Sequence, residues 1–185
     1  ISASIGQGYN LVTPMQSAMM ISTIASGGLL MRPYLVKRIE NPDGKLIQEF
    51  FPEVKNNIEI EPEVLKLLKE GLRGVVHGAH GTGHRARLKN VIVAGKTGTA
   101  QVVSMKDSEE IDPEEETPYS HRDHAWFVAF APYENPEVAV SVIIEHGGHG
   151  GATAAPIAGK ILKTYFSYYP PSKTIELDKD KIEVN

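Results

Sequence analysis

Two apolar runs, Trp126-Phe127-Val128-Ala129-Phe130-Ala131 and Val138-Ala139-Val140-Ser141-Val142-Ile143-Ile144, limit the possible folds of this chain more than any other feature. Each has strand length and is almost continuously apolar, so both of its faces must be covered rather than one. The link from Pro132 to Pro136 suits an antiparallel hairpin. A third strand is expected over Val91 to Val103, and near its start it breaks into Val93-Ala94-Gly95-Lys96-Thr97-Gly98-Thr99-Ala100-Gln101. A lysine between glycines and threonines at the end of a buried run is unusual, because an ammonium is costly to bury without a partner.

The layers that cover these strands are legible as helices. Thr13-Pro14-Met15-Gln16 supplies a cap, a proline for the first helical position and a capping-box glutamine. A mostly buried helix is expected from there to about Ser26, with Met15, Ala18, Met19, Ile21, Ile24 and Ala25 on its apolar face and Gly27-Gly28 as its stop. Pro62 opens a second helix, with Val64, Leu65, Leu68, Leu72, Val75 and Val76 at helical spacing down to Gly78. A third follows the glycine-rich turn Gly147 to Gly151, with Pro156 in its first turn, Ile157, Ile161, Leu162 and Tyr165 facing inward, and Pro170-Pro171 as its end. Between the first two helices, Tyr34 to Ile39 and Leu46 to Phe50 flank the turn sequence Asn41-Pro42-Asp43-Gly44 and read as a peripheral hairpin.

The order helix, hairpin, helix, three strands, helix is an α+β layout, an antiparallel sheet with helices packed on it. Within the 185 residues, 41% apolar content is enough to build a core. Lys106 to Asp123 is acidic, contains proline and is almost free of large aliphatic residues, so 106–123 is expected to be a long mobile loop. Residues 172–185 read as a polar tail after a domain spanning 1–171. Cysteine is absent, so disulfides and thiolate chemistry are excluded. The net charge of -4 and the scattered lysines argue against a nucleic-acid partner. No apolar stretch approaches the roughly 20 residues that cross a bilayer, and no signal-peptide pattern is present, so a membrane anchor is expected outside this chain. The start at Ile1 suggests a piece of something longer.

Three chemistries compete for the lysine motif. A phosphate loop requires glycine five residues before Gly95, where Asn90 stands, and Gly98 and Thr99 break the helix that should follow. Metal binding is raised by the histidine clusters His77, His80 and His84, His121 and His124, and His146 and His149. These lie among glycines or in the acidic loop without a completing carboxylate or cysteine, so turn and surface roles are favoured and neither metal nor cofactor is expected. The third chemistry is acyl transfer. Lys96 supplies a fixed positive charge beside a cleft, the Thr97 and Thr99 hydroxyls suit a carboxylate, and Gly98 lets a substrate lie against the strand. The Thr99 N–H suits an oxyanion. By strand alternation Gln101 shares the side of Thr97 and Thr99, where it lines the cleft or a plain surface.

Lys96-Thr97-Gly98 matches a signature of serine penicillin-binding proteins and β-lactamases. Around it, Ser4-Ile5-Gly6-Gln7-Gly8, Thr13-Pro14-Met15-Gln16, Gly27-Gly28, Gly81-Thr82-Gly83 and Lys96-Thr97-Gly98-Thr99-Ala100-Gln101 resemble class B penicillin-binding proteins. Further on, His124-Ala125-Trp126-Phe127, Phe130-Ala131-Pro132, Glu145-His146-Gly147-Gly148 and Ala154-Ala155-Pro156-Ile157 resemble the elongation-type members, the penicillin-binding protein 2 kind.

The resemblance implies the penicillin-recognition fold and a peptidoglycan D,D-transpeptidase acting through a serine acyl-enzyme, with Lys96 and Thr99 catalytic and Thr97, Gly98, Thr99 and Gln101 binding substrate. It implies stem peptides and β-lactam antibiotics as ligands, a glycosyltransferase of the elongation machinery as a partner, and a place on the extracytoplasmic face of the bacterial inner membrane. No serine here is followed by lysine three residues on, or by asparagine two residues on, so the nucleophile motif and its companion are absent from the sequence. The family carries both upstream, which makes this chain resemble the C-terminal half of the domain, inactive alone. The central sheet would then lack two N-terminal strands of the missing half, itself an implied partner, leaving Val138 to Ile144 with an edge to be covered by a second chain, by self-association or by the C-terminal tail. The alternative is a non-catalytic binding or metal-stabilised module with the same layout.

Overall fold

The computed structural model of the chain describes residues 11–102 and 118–171. The segment 4–8, most of the expected acidic loop and the tail 172–185 lie outside the described residues.

Helix α1 (Pro14–Ala25) starts as its sequence dictates. The Thr13 hydroxyl accepts the Gln16 N–H at 3.2 Å, and the Gln16 side chain accepts the Thr13 N–H at 2.8 Å, a reciprocal cap contributing about 1 kcal/mol. The helix exits through Gly27 and Gly28. Gly28 has φ +113°, and a Cβ there would lie 2.2 Å from the Ile58 carbonyl oxygen, so only glycine lets the chain turn at this point. The strands β1 (Leu29–Met31), β2 (Arg38–Glu40), β3 (Leu46–Glu49) and β4 (Val54–Asn57) follow. β2 pairs with β3 in the expected hairpin, but pairing begins at Arg38 rather than Tyr34, and every residue of both strands is exposed. The antiparallel pair β1 and β4 was not expected, since three and four residues are too few to carry a periodic pattern.

Helix α2 (Pro62–His77) is followed by a 3₁₀ turn at His84–Ala86. Arg87 satisfies carbonyls at the end of α2, its Nε donating to Val76 at 2.6 Å and its Nη2 to Gly78 at 3.4 Å. Lys69 links the two helices by donating to the Ala25 carbonyl at 2.8 Å, and burial lowers its pKa.

The remaining elements are β5 (Ala94–Ala100), β6 (His124–Ala131), β7 (Val138–Ile144) and α3 (Ala154–Tyr168). β5, β6 and β7 form one antiparallel sheet in that order. β6 alternates between two cores. Phe127 and Ala129 pack with Val76, Ala158, Leu162 and Phe166 on the α3 side, whereas Val128 and Phe130 pack with Ile21, Ala25 and Leu72 on the α1 side. Fully burying Phe127 and Phe130 contributes roughly 1.5–3 kcal/mol each. Among the described residues, no strand pairs with the outer edges of β5 and β7.

Two expectations about burial need correction. α1 is buried only at Ser17, Ile21, Thr23 and Ala25, while Met15 and Met20 are more than half exposed. The described sheet gives this helix one surface to pack against, not two. On α3 Leu162 is buried and Ile157 and Tyr165 pack against the core as expected, joined by Ala154, Ala155, Ala158 and Phe166, but Ile161 is exposed at 46%. Close packing against the turn 84–86 selects the alanines, because a Cβ on Gly159 would already lie 3.1 Å from the Ala86 Cα.

His77 gives the fold a pH dependence. The Val93 N–H donates to its Nε2 at 3.3 Å, which ties the end of α2 to the residue before β5 and requires that nitrogen to be unprotonated. Burial, then the Arg87 and Arg73 charges, hold its pKa below the usual 6.5. The unfolded chain therefore takes up a proton below about pH 6.5 that the folded chain resists, so stability is fully present above that pH and falls as the pH drops. Thermal melting is expected at a lower temperature at about pH 5 than at about pH 7.5, with a smaller difference in His77→Gln.

Candidate active site

The lysine motif occupies the whole of β5, and strand alternation divides it between two surfaces. Lys96, Gly98 and Ala100 stand opposite Val128, Trp126 and His124 of β6, on the α1 side. Gly95, Thr97 and Thr99 stand opposite Ala129, Phe127 and Ala125, on the α3 side.

Each surface opens onto a cavity. One, of about 670 Å³, lies between β5 and α1, where Lys96 and Trp126 face Ser17 and Met20. Gln101, one residue beyond the strand and exposed, also lines it. The Lys96 ammonium is exposed and donates to the Thr97 carbonyl at 2.8 Å, and no ion pair to it is found among the described residues. The other cavity, of about 430 Å³, is lined by Thr97 and Thr99 together with Thr82, His84, Arg85 and His149. Both threonines reach the rim of the first cavity as well. Lys96, Thr97, Gly98 and Thr99 thus share one strand, with the ammonium on one face and the hydroxyls on the other.

The second cavity owes its shape to backbone contact. A Cβ on Gly150 would lie 2.2 Å from the Trp126 carbonyl oxygen and 2.4 Å from that of Gly98, and one on Gly151 would lie 2.3 Å from that of Thr82. The turn before α3 therefore presses directly on β5 and on the loop after α2. The Thr153 hydroxyl holds the turn by donating to the Gly147 carbonyl at 2.8 Å.

Thr82, Arg85 and His149 reach the site without belonging to the lysine motif. Gly81-Thr82-Gly83 is a visible sequence signal, but its contact with β5 depends on the path the chain takes after α2. That path brings the Thr82 and Thr97 hydroxyl oxygens to 2.9 Å.

The histidines act locally. The His146 N–H donates to His124 Nδ1 at 2.9 Å, and His146 Nδ1 donates to the Arg122 carbonyl at 3.0 Å. The His146 ring lies 4.8 Å from that of His124 and 5.1 Å from that of Tyr119. His84 Nδ1 donates to the Gly81 carbonyl at 3.2 Å. Among the described residues, no group of three or more His, Asp or Glu side chains is arranged to hold a metal.

An antiparallel sheet between helices, presenting Lys-Thr-Gly-Thr on a strand that ends the sheet among the described residues, is the arrangement of the penicillin-recognition fold. The family described as penicillin binding protein transpeptidase domain matches residues 1–163, and the chain belongs to that family. It is 38% identical over 179 residues to the peptidoglycan D,D-transpeptidase MrdA of Haemophilus influenzae, a match covering 92% of this chain and 26% of that protein. It is also 38% identical over 160 residues to the peptidoglycan D,D-transpeptidase PbpA of Mycolicibacterium smegmatis, covering 84% of this chain and 29% of the relative. The chain thus spans little more than a quarter of the length of these relatives. Among solved structures, penicillin-binding protein A from M. tuberculosis as a ceftriaxone acyl-enzyme complex superposes with a TM-score of 0.72 at 34% identity, over 88% of this chain and 34% of that one. Pseudomonas aeruginosa PBP2 in complex with WCK 5153 gives 0.68 at 33% identity, over 98% and 34%.

The glycine contact yields a test. Gly150→Ala is expected to destabilise the chain by about 1–3 kcal/mol, because the added methyl meets backbone that cannot move aside. Urea unfolding measures this, and a change below about 0.5 kcal/mol would contradict the close approach.

Proposed function

We propose that this chain is the C-terminal part of a peptidoglycan D,D-transpeptidase, and that β5 forms one wall of its active-site cleft. The observation that carries the reading is Lys96-Thr97-Gly98-Thr99 on the strand that ends the sheet among the described residues, in a chain of the transpeptidase family. The names of the relatives, peptidoglycan D,D-transpeptidases, support it, as does the acyl-enzyme complex of the M. tuberculosis protein.

In this reading a serine carried outside these residues attacks the carbonyl of the penultimate D-alanine of a stem peptide. The serine ester forms, the peptide bond breaks, and the terminal D-alanine leaves with the proton on its amine. The amine of a neighbouring strand then attacks the ester and releases the serine. Lys96 places positive charge beside the reacting centre, and the Thr99 N–H stabilises the oxyanion. Thr97 and Thr99 hold the substrate carboxylate, Gly98 leaves room for the peptide backbone, and Gln101 lines the cleft. A β-lactam acylates the same serine.

The other half of the domain fits the outer edge of β7 and the exposed methionines of α1, both of which offer surface for packing. Nucleic acid is not among the partners. The setting is the extracytoplasmic face of the bacterial inner membrane, beside a glycosyltransferase of the elongation machinery. Among the described residues no helix is long and apolar enough to cross a membrane, and in this reading the anchor lies in the remainder of the protein.

Intact-mass spectrometry tests the assignment. The complete protein is expected to gain one penicillin G adduct and the isolated chain none, since it contains no Ser-x-x-Lys. In the complete protein, Lys96→Met should slow acylation by roughly 100-fold. An adduct on the isolated chain, or an unaltered rate in the variant, would overturn the assignment.

A further inference from the structure

The cavity on the α3 side of β5 carries chemistry that the lysine motif does not contain. Thr82, His84 and Arg85 enter it from the loop after α2, and His149 enters from the turn before α3. None of the side chains lining it is acidic, and among the described residues no carboxylate pairs with Arg85. The guanidinium is nevertheless held in place, because its Nη1 donates to the Ala152 carbonyl at 3.0 Å. One such bond uses one of its five N–H donors. A tethered guanidinium that faces hydroxyls and has no counter-charge suits a planar anion with paired acceptor oxygens, which is the geometry of a carboxylate.

Thr82 adds direction. A threonine hydroxyl rotates to suit its partners, and the 2.9 Å contact between Thr82 Oγ1 and Thr97 Oγ1 fixes one of the partners available to Thr97. The contact cannot drift far, because Gly151 lies against the Thr82 backbone with no space for a side chain.

We infer that Arg85 supplies the positive charge that recognises the carboxylate of a ligand lying along β5, and that Thr82 is a positioning residue that aims the Thr97 hydroxyl at the same carboxylate. The inference rests on the transpeptidase reading above. It separates two jobs by strand face: the carboxylate is read on the Thr97 and Thr99 side by Arg85, and Lys96 on the opposite side is left to the reacting centre.

The test compares two probes on the complete protein, benzylpenicillin and its methyl ester, which differ only in the carboxylate. Arg85→Gln is expected to slow acylation by benzylpenicillin about tenfold or more while leaving the rate with the ester unchanged, and Arg85→Lys to recover most of the loss. Thr82→Val should reduce the preference for the acid over the ester in the same direction, and Thr82→Ser should restore it. The ester rate shows in each variant that the site is still folded. Equal loss with both probes, or no loss with either, overturns the inference and leaves the transpeptidase reading standing. Failure of the unaltered protein to be acylated by either probe overturns both.

Discussion

Strand β6 is hydrogen-bonded along both edges and covered on both faces, and the rest of the structure is arranged to meet that demand. A strand with Phe127 on one side and Phe130 on the other cannot stop at a two-layer arrangement, because either ring would be left in water. The chain therefore supplies α3 and the end of α2 for one face and α1 for the other. Among the described residues β5 is paired along one edge only, so a rigid core presents a strand whose other edge has no described partner.

The division of β5 between two cavities follows from the same geometry. Side chains of neighbouring residues point to opposite faces, so an ammonium and a hydroxyl adjacent in sequence are delivered to different surroundings. Lys96 meets the sparsely covered α1 side, and Thr97 meets a surface built from the loop after α2 and the turn before α3. One seven-residue strand thereby presents two chemically different surfaces.

Much of this was legible in the sequence where the signal is local. The capping box at Thr13 and Gln16, the strands 126–131 and 138–144 and the proline in the first turn of α3 each depend on a few adjacent residues, and each forms as read. β1 and β4 escaped because strands so short carry no period. On α3, Leu162 is buried and Ile157 and Tyr165 pack against the core as read, but Ile161 is exposed, because helical spacing does not show that the turn 84–86 approaches the helix at Gly159. Lys96, Thr97, Gly98 and Thr99 were visible as a motif. Thr82 comes to Thr97, and Arg85 to the cavity they share, only through the return of the chain after α2, a non-local event that no spacing encodes.

The hairpin of β2 and β3 stands outside all of these dependencies. The residues of both its strands are exposed, and its tip at Asn41-Pro42-Asp43-Gly44 belongs to neither core. Lengthening such a tip costs only about 0.6 kcal/mol of closure entropy for each doubling of the loop. The molecule therefore carries a place where a fluorescent reporter or an antibody epitope can be inserted and read out without disturbing the packing around β5.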